Sequence, residues 1–467
     1  MLKFAAKKLT RAILANPRAV ATARGLLRPF PRVEEEVRVW AYLLKKKLAT
    51  NQNASTLLTD ESARKNSAIA PGEHQILIDI SELVLRDVHT GIQRVVRSIL
   101  QEMLNKPPTG YVVEPVFADA DGQLHYARIF LSAMIGKSNK RCEDSLVSVN
   151  PGDIFYCPDL HLTYPFPTLT VLQQHGLRVI FTIYDIIALN NQDFFPRAYK
   201  LGFSDWFAGV MMVADAIVCD SRAVAHEVKT WLEHHPGQRD RPLPIGYFHL
   251  GADIEASRPS LGEKGEGAEI LAACELRPTL LMVGTLESRK GHAQVLAALE
   301  SLWGAEVDLN LVIIGKEGWC NQRLARQLRV HPEHNRRLFW LEGASDTLLL
   351  QLYAHSSALL AASLAEGFGL PLIEAARQGL PIIARDIPVF REVAGEHAYY
   401  FQGERPEELA QTIQRWLLLF SEGTIPTSRS MPWFSWAEST RQLLDVLIAN
   451  KFYTSWMPYE DTIYGDL

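Results

Sequence analysis

A strand, a glycine loop and a helix start follow one another directly in the second half of the chain. Residues 357–365 form an apolar run that is typical of a buried strand, and Glu366 comes immediately after it. Gly367 and Gly369 allow a tight turn and a close approach of the backbone to another group. Pro371 suits the first turn of a helix. The pattern predicts a strand–loop–helix unit of an α/β fold.

Two carboxylates flank this loop. Glu374 follows Glu366 by eight residues and lies about one turn into the predicted helix. Backbone N–H groups at a helix start favour anionic groups, whereas carboxylates accept hydrogen bonds from hydroxyls. The unit therefore suits a ligand with phosphates and hydroxyls, such as a sugar nucleotide. The alternative is an ordinary strand, turn and helix with two surface glutamates.

Another predicted strand end supplies positive charge. Residues 279–283 form a short apolar run typical of a buried parallel strand, Gly284 ends it, and Arg289 and Lys290 follow in the loop. The arginine fork and the lysine ammonium can together grip a diphosphate. Adjacent basic residues in a loop are often simply solvated, but their occurrence in the same α/β unit as Glu366 favours a binding role.

These motifs resemble those of family 4 retaining glycosyltransferases with the GT-B architecture, over about residues 279–401. Four segments carry the resemblance in matching order and spacing: residues 284–291, 311–315, 341–346 and 366–374. The resemblance implies an α/β fold with two Rossmann-like domains facing each other across a cleft. It also implies transfer of a hexose from a nucleotide diphosphate sugar with retention of the anomeric configuration.

The resemblance assigns roles to individual residues. Arg289 and Lys290 would hold the donor diphosphate, Glu374 would bind the ribose hydroxyls, and Glu366 would contact the donor sugar. The backbone that completes the sugar site would be that of Gly367, Phe368, Gly369 and Leu370.

The same resemblance extends to the nucleotide and the reaction. The base would lie near residues 315–319 and Gly343, which the sequence places at strand ends. Relatives need neither a metal nor a separate cofactor, so Arg289, Lys290 and backbone donors would stabilise the leaving diphosphate. The subgroup that the chain resembles, bacterial polysaccharide and O-antigen mannosyltransferases, suggests GDP-mannose as donor and a glycan or lipid-linked acceptor.

The first folded domain is predicted to start with a strand at residues 75–80. A helix is predicted from Gly91 to Leu100, with Thr90 as its cap and Gly91 leaving the N-terminus open to a ligand. By resemblance, residues 90–94 match the loop that faces the donor phosphates and the acceptor. Further strands are predicted at residues 112–117, 153–157, 179–184 and 216–219.

Asp185 follows one of these strands, where many relatives carry a His-Asp pair. Tyr184 stands here in place of the histidine. Asp185 remains at the C-terminal end of a buried strand, where α/β sites form, and it could orient the acceptor hydroxyl or the donor sugar, or cap the next helix. The tyrosine supports one alternative function, a catalytically silent sugar-nucleotide binding module. An epimerase would need its own acid–base set, which the sequence does not offer.

Asp119 and Asp121 match the D-x-D metal motif of the other major glycosyltransferase architecture. Asp121 is followed by Gly122, and Asp-Gly between apolar residues is a strong hairpin signal. We therefore predict a hairpin here and no metal site.

Length and composition are those of an ordinary globular protein. The chain of 467 residues is too long for one core. Net charge is −5, so nucleic acid is not an expected partner, and the five scattered cysteines favour reduced thiols in the cytoplasm. No run of about 18 apolar residues and no apolar signal core is present. Predicted domains are an extension and linker (1–72), an acceptor domain (73–255), a donor domain (256–431) and a last helix returning to the acceptor domain (432–467).

Residues 1–50 contain twelve Lys and Arg against three Glu. They predict a basic amphipathic helix that ends near Pro17 and a second helical stretch at residues 33–48, followed by a linker at residues 49–72. Such helices can lie on the anionic inner face of the cytoplasmic membrane. The alternative is a helical extension that packs on the body of the protein or on a partner, or is partly mobile.

Overall fold

The computed structural model describes residues 73–458 apart from 87–89, 135–142, 236, 255–259, 261, 263–264 and 320, together with Val39, Tyr42 and Leu43. The basic helix predicted to end near Pro17 and the linker predicted at residues 49–72 lie outside the described residues.

Strands and helices alternate along the described part of the chain. The strands are β1 (His74–Asp79), β2 (Tyr111–Ala118), β3 (Leu124–Tyr126), β4 (Ile154–Cys157), β5 (Arg178–Ile183), β6 (Ala216–Cys219), β7 (Leu243–Tyr247), β8 (Thr279–Val283), β9 (Asn310–Ile314), β10 (Leu338–Leu341), β11 (Ala358–Ala361), β12 (Ile382–Arg385), β13 (Tyr399–Phe401) and β14 (Thr454–Trp456). The helices are α1 (Ser81–Leu85), α2 (Gly91–Asn105), α3 (Arg128–Met134), α4 (Phe166–Gln173), α5 (Ile187–Asn190), α6 (Arg197–Val213), α7 (Arg222–His234), α8 (Ala268–Leu276), α9 (His292–Gly304), α10 (Gln322–Val330), α11 (Asp346–His355), α12 (Leu370–Gln378), α13 (Pro388–Ala394), α14 (Pro406–Ser421) and α15 (Trp436–Leu447).

Two separate sheets organise these elements. The first has the strand order β14-β7-β6-β5-β4-β1-β2-β3, and the second has the order β10-β9-β8-β11-β12-β13. Neighbouring strands are parallel except at the edges of the first sheet, where β3 pairs with β2 and β14 with β7 in the antiparallel sense. Their central strands are buried apolar runs, as parallel sheets covered by helices require. The predicted α/β fold with two Rossmann-like domains is confirmed.

The last described residues return to the first sheet. Helix α15 packs against α2 and β7, and β14 adds an edge strand to β7. Val446 on α15 packs closely against Gly246 on β7. A Cβ added at Gly246 would stand 2.4 Å from the Cγ1 of Val446. This close helix–strand packing ties the last described residues to the N-terminal layer.

Several local predictions agree with the structure. Thr90 accepts a hydrogen bond from the N–H of Gln93 and forms a capping box with it at the start of α2. Asp119 Oδ1 accepts from the N–H groups of Asp121 and Gln123 in the β2–β3 hairpin, where Gly122 has a φ of 82°. The hairpin prediction is therefore confirmed.

The strand predicted at residues 357–365 is shorter than expected. Strand β11 ends at Ala361, and Leu364 N–H donates to the carbonyl of Arg289 at 2.7 Å rather than to a neighbouring strand. The apolar residues beyond β11 are covered by a neighbouring loop. Hydrophobicity alone therefore overestimated the length of the strand.

Two of the three described residues of the second N-terminal stretch pack against the body of the protein. Val39 is buried, and the Tyr42 hydroxyl bonds to Asp205 on α6. These contacts agree with packing on the body at Val39 and Tyr42. Among the described residues, no helix is long and apolar enough to cross a membrane.

Candidate active site in the interdomain cleft

The basic pair predicted to bind phosphate lies in a short 3-10 turn after β8. Ser288–Lys290 form the turn, and Gly291 ends it with a φ of 76°. A Cβ at Gly291 would stand 2.4 Å from the carbonyl oxygen of Ala362, so only glycine fits between this turn and the loop after β11. The backbones of the two loops therefore pack directly against each other.

Glu366 is bonded to three side chains from these loops. Arg289 Nη1 lies 2.9 Å from its Oε2, Lys290 is ion-paired with its Oε1, and the Ser363 hydroxyl donates to Oε1 at 2.7 Å. Burial by itself would raise the pKa of Glu366, but Lys290 and Arg289 outweigh that effect and lower the pKa to about 2. Glu366 is therefore ionised and fixed in orientation at neutral pH.

Arg289 has further partners on the same side of the cleft. Its Nε lies 3.0 Å from Glu287 Oε2, and its Nη1 also donates to the carbonyl of Ala365 at 3.1 Å. Burial would lower the pKa of Arg289, but the charges of Glu366 and Glu287 raise it above its usual range. Two cations thus face two carboxylates, so an incoming anion can compete with Glu366 for both cations.

A small hollow opens beside this cluster. Its lining includes Lys290, Ser363, Glu366, Gly369 and Phe390. The hollow therefore brings together one cation, one carboxylate and the glycine loop. Arg289 and Glu374 lie outside its lining.

The backbone of the glycine loop touches the strand ends of the first sheet. A Cβ at Gly367 would stand 1.9 Å from the carbonyl oxygen of Tyr184, which follows β5. The Ser221 hydroxyl, just after β6, donates to the Gly367 carbonyl at 2.7 Å. Phe368 is buried, and its ring lies 5.6 Å from that of His249. The loop is therefore part of the contact between the domains.

The starts of α2 and α12 face each other. Gly369 caps α12 in the left-handed conformation, with a φ of 99°, and Leu370 is the first helical residue. A Cβ at Gly91, the first residue of α2, would stand 3.8 Å from Leu370 Cδ1. The residues predicted to face the ligand from each domain therefore meet at one place.

Asp185 is buried at the end of β5. Its Oδ1 accepts from the N–H of Ile187 at 3.0 Å, an Asx-type turn just before α5, whose N-cap is Ile186. Burial raises its pKa, and the positive charge of Arg289 opposes that rise. Asp185 is therefore close enough to the basic cluster to interact with it while its carboxylate also holds the turn that leads into α5.

Tyr184 has a contact of its own within the N-terminal domain. Its hydroxyl donates to the carbonyl of Pro158 at 2.7 Å. The side chain that replaces the histidine of many relatives is thus engaged with the loop after β4, while the Tyr184 carbonyl meets Gly367.

Glu374 lies on α12 with a side chain only 5% exposed. The Tyr353 hydroxyl donates to its Oε2 at 2.7 Å, and Arg94 of the N-terminal domain donates to its Oε1 at 2.9 Å. Both carboxylate oxygens therefore have protein partners from opposite sides of the cleft.

The two loops predicted to lie near the nucleotide base differ in their surroundings. Gly343 is exposed between β10 and α11, and a Cβ added there would meet nothing within 4 Å. Gly315, after β9, packs so tightly that an added Cβ would stand 1.9 Å from the Gly284 carbonyl oxygen. The Trp319 ring lies 4.5 Å from that of Tyr199 on α6, across the cleft. The roles assigned to both loops remain predictions.

The part of the chain that the structure describes contains no group of three or more His, Cys, Asp or Glu side chains placed to hold a metal ion.

Comparison with known protein families identifies the second layer. Residues 268–420 match the family described as glycosyl transferases group 1. These residues form a group 1 glycosyltransferase domain. Arg289, Lys290, Glu366 and Glu374 all lie within it.

A curated relative extends the similarity into the N-terminal layer. Over 376 residues, 79% of this chain, the sequence is 41% identical to the serotype-specific mannosyltransferase WbdA of Escherichia coli. The match covers 44% of WbdA, so this chain spans less than half the length of that relative. The resemblance to O-antigen mannosyltransferases that the motifs predicted is confirmed.

Solved structures agree on the architecture. The catalytic domain of starch synthase IV from Arabidopsis thaliana, bound to ADP and acarbose, has a TM-score of 0.54 at 14% identity over 80% of this chain and 99% of its own. Anabaena HepE, in complex with UDP and glucose, has the same score, identity and coverage. At such identity the likeness shows the fold alone, and that fold is GT-B.

Sequence reasoning missed several residues around the group 1 domain. Asp220 follows β6 just as Asp185 follows the adjacent β5, and burial together with the charge of Asp185 raises its pKa well above the usual range. Because Asp185 was predicted as a site residue at the end of β5, the aspartate at the end of the adjacent strand β6 could have been predicted in the same way. Nothing in the local sequence marked Arg94 or Tyr353 as partners of Glu374, because those contacts are made between distant elements.

Proposed function

We propose that this chain is a retaining, metal-independent hexosyltransferase. It would move a hexose, with mannose as the first choice, from a nucleotide diphosphate sugar to a hydroxyl of a glycan or lipid-linked acceptor in bacterial surface polysaccharide synthesis. The 41% identity to a protein named as a mannosyltransferase supports the choice of reaction and sugar. Because that match covers 44% of the relative, the mannosyltransferase activity is a proposal for this chain.

The observation that carries the proposal is the ion-paired cluster of Arg289, Lys290 and Glu366 beside the interdomain contact. A nucleotide diphosphate sugar would satisfy all three groups. Its phosphates would take over the two cations, and Glu366, once released, would accept hydrogen bonds from the sugar hydroxyls.

In the proposed step, the acceptor hydroxyl attacks the anomeric carbon on the face from which the diphosphate departs. The bond between that carbon and the β-phosphate oxygen breaks, and a bond to the acceptor oxygen forms. The hydroxyl proton passes to the departing phosphate oxygen. Arg289 and Lys290 would neutralise the charge that develops on the leaving group, and preorganised donors of this kind contribute about 3 kcal/mol each to lowering a barrier.

The relatives support a proposal for the donor and the acceptor. We propose GDP-mannose as donor because of the mannosyltransferase relatives, with no separate cofactor, and no role for nucleic acid. We further propose a cytoplasmic protein that touches the inner face of the membrane through residues 1–50. Sedimentation with anionic liposomes should fall when residues 1–50 are deleted, while transfer to a soluble acceptor is retained; equal sedimentation would contradict the membrane contact.

The proposed reaction is testable with the purified full chain. Thermal stabilisation by a panel of GDP, UDP and ADP sugars identifies the donor, since a ligand of the folded state raises the melting temperature. Transfer to mannose-containing acceptors is then followed by mass spectrometry, and the anomeric configuration by NMR. A folded sample that neither binds nor consumes any activated sugar would contradict the proposal.

The silent binding module remains the competing prediction. It would bind a sugar nucleotide without cleaving it. Release of free sugar or nucleoside diphosphate in the absence of acceptor would separate the two, because an enzyme with an intact leaving-group site hydrolyses some donor. The ion-paired cluster and the enzymatic relatives favour the transferase.

A further inference from the structure

Arg94 joins the two domains through both arms of its guanidinium. The residue lies in the first turn of α2, in the N-terminal domain. Its Nη1 is 2.9 Å from Glu374 Oε1, and its Nη2 is 2.5 Å from Asp346 Oδ1, both in the second domain. Its side chain is about a quarter exposed, so the guanidinium is largely enclosed by its partners. One residue thus links the start of α2 to the starts of α11 and α12.

Asp346 also holds the segment between the two sheets. Its Oδ2 accepts from the N–H of Ser260 at 2.8 Å and from the Ser260 hydroxyl at 3.0 Å. Asp346 therefore fixes Arg94 with one oxygen and the interdomain segment with the other. The position of the guanidinium depends on how the two domains are arranged.

Glu374 has acceptor capacity left after these contacts. A carboxylate offers about four acceptor positions, and the structure fills one on each oxygen, with Arg94 on Oε1 and Tyr353 on Oε2. A ribose presents two neighbouring hydroxyls, which can each donate one hydrogen bond. Burying a carboxylate is costly unless hydrogen-bonded partners compensate its charge. Those partners also fix the direction in which its remaining acceptor positions point.

We propose that Arg94 is a positioning residue for the ribose of the donor. It orients Glu374 so that the carboxylate receives the 2′ and 3′ hydroxyls, and it does so only when the domains are closed, because it reaches Glu374 from the opposite domain. Recognition of the ribose is thereby coupled to closure of the cleft. The inference rests on the proposed function, since it takes Glu374 as the ribose-binding carboxylate.

The test measures how strongly each protein prefers a ribose to a sugar without the two hydroxyls. Isothermal titration calorimetry compares a nucleoside diphosphate with its 2′,3′-dideoxy analogue, using whichever of GDP, UDP and ADP the wild-type full chain binds most tightly. The variants are Arg94→Met and Arg94→Lys. The control is Arg405→Met, which removes an exposed Arg–Glu pair with Glu408 on the surface of the second domain.

We expect the wild type and the control to prefer the ribose form by about tenfold or more, the size typical of hydrogen bonds to a charged group. Arg94→Met should reduce that preference to within about threefold, and Arg94→Lys should restore part of it. Circular dichroism verifies that each variant is folded, and Arg94→Lys keeps the test available if the methionine variant is not.

Two results would overturn the inference while leaving the proposed function intact. One is a full ribose preference in both Arg94 variants. The other is an equal loss of affinity for both nucleotides, which is the outcome of a purely structural role in closure. A folded wild type that binds none of the three nucleotides would instead contradict the proposed function itself.

Discussion

The carboxylates on the two sides of the cleft have pKa values shifted in opposite directions. On the side of the second domain, Glu366 is paired with two cations, and its pKa is lowered to about 2. On the side of the first domain, burial raises the pKa values of Asp185 and Asp220. Asp159, after β4, shares this character, since burial and the nearby Asp79 raise its pKa to about 7.

This difference indicates that the second domain is the side suited to an anionic ligand. The second domain keeps its cations next to an ionised acid, so an anion can exchange for that acid without creating an unpaired buried charge. In the first domain, burial of Asp185 and Asp159 outweighs the nearby charges of Arg289 and Arg86, so a phosphate would be repelled there when those acids are ionised. Neutral hydroxyl groups suit the first domain better, and the assignment of an acceptor domain facing a donor domain stays a prediction.

The largest expected effect comes from removing the cations that define the charged side. Arg289→Ala or Lys290→Ala should lower turnover by about 100-fold or more, because each loses a preorganised contact with the leaving diphosphate. Steady-state transfer assays measure this, with Arg405→Ala as a surface control expected to retain wild-type turnover. Normal turnover in both variants would remove the leaving-group role and with it the contrast between the two sides.

A smaller effect is expected where the two sides touch. In Gly367→Ala the new methyl group would stand 1.9 Å from the carbonyl oxygen of Tyr184, so the domains must shift apart. Displacements of about 1 Å can lower rates by up to about 100-fold, and we expect a loss of about tenfold or more in turnover. Gly304→Ala is the matched control, because an added Cβ there meets nothing within 4 Å.

Small-angle scattering tests the reason for the loss. Gly367→Ala should give a larger radius of gyration than the control in the presence of donor. Equal turnover in Gly367→Ala and Gly304→Ala would mean that the contact between Tyr184 and Gly367 is not needed for the reaction.

The smallest effect concerns the acids of the first domain. The folded chain keeps the Asp159 proton up to about pH 7, whereas the unfolded chain releases it near pH 4. The wild type should therefore lose stability relative to Asp159→Asn as pH rises from 4 to 7, by at most about 1.4 kcal/mol per pH unit. Below pH 4 the two proteins should differ by a constant amount.

Urea unfolding at several pH values measures this difference. A gap between wild type and Asp159→Asn that stays constant from pH 4 to 8 would contradict it. Such a result would mean that Asp159 is not buried as an uncompensated acid, and that the two sides of the cleft are less different than the structure indicates.

Local sequence predicted much of the fold and part of the site. The apolar runs that became β6 and β8 were placed at their observed bounds, and the Thr90 cap and the β2–β3 hairpin were recognised from their side chains. These features depend on residues a few positions apart. The strand β14 was missed, since its three residues gain their partner only when the chain end returns to β7.

The partners of the charged groups were less accessible. Glu366 and Glu374 were identified as candidate ligand contacts, but the pairing of Glu374 with Arg94 joins residues 280 positions apart. The hydrogen bond of Asp185 to the Ile187 N–H is local, whereas the nearness of Asp185 to Arg289 depends on the domains closing. The roles of these residues toward a ligand remain predictions.

The sequence by itself determined the local units, because hydrophobic runs, glycine turns and helix caps act over a few residues. The tertiary structure decided which charges neutralise each other. The energy of a buried charge depends on desolvation and on neighbours from other elements, and neither can be read from residues next to it in the chain. Glu366 and Asp220 both follow buried strands, yet their pKa values shift in opposite directions because only Glu366 meets cations.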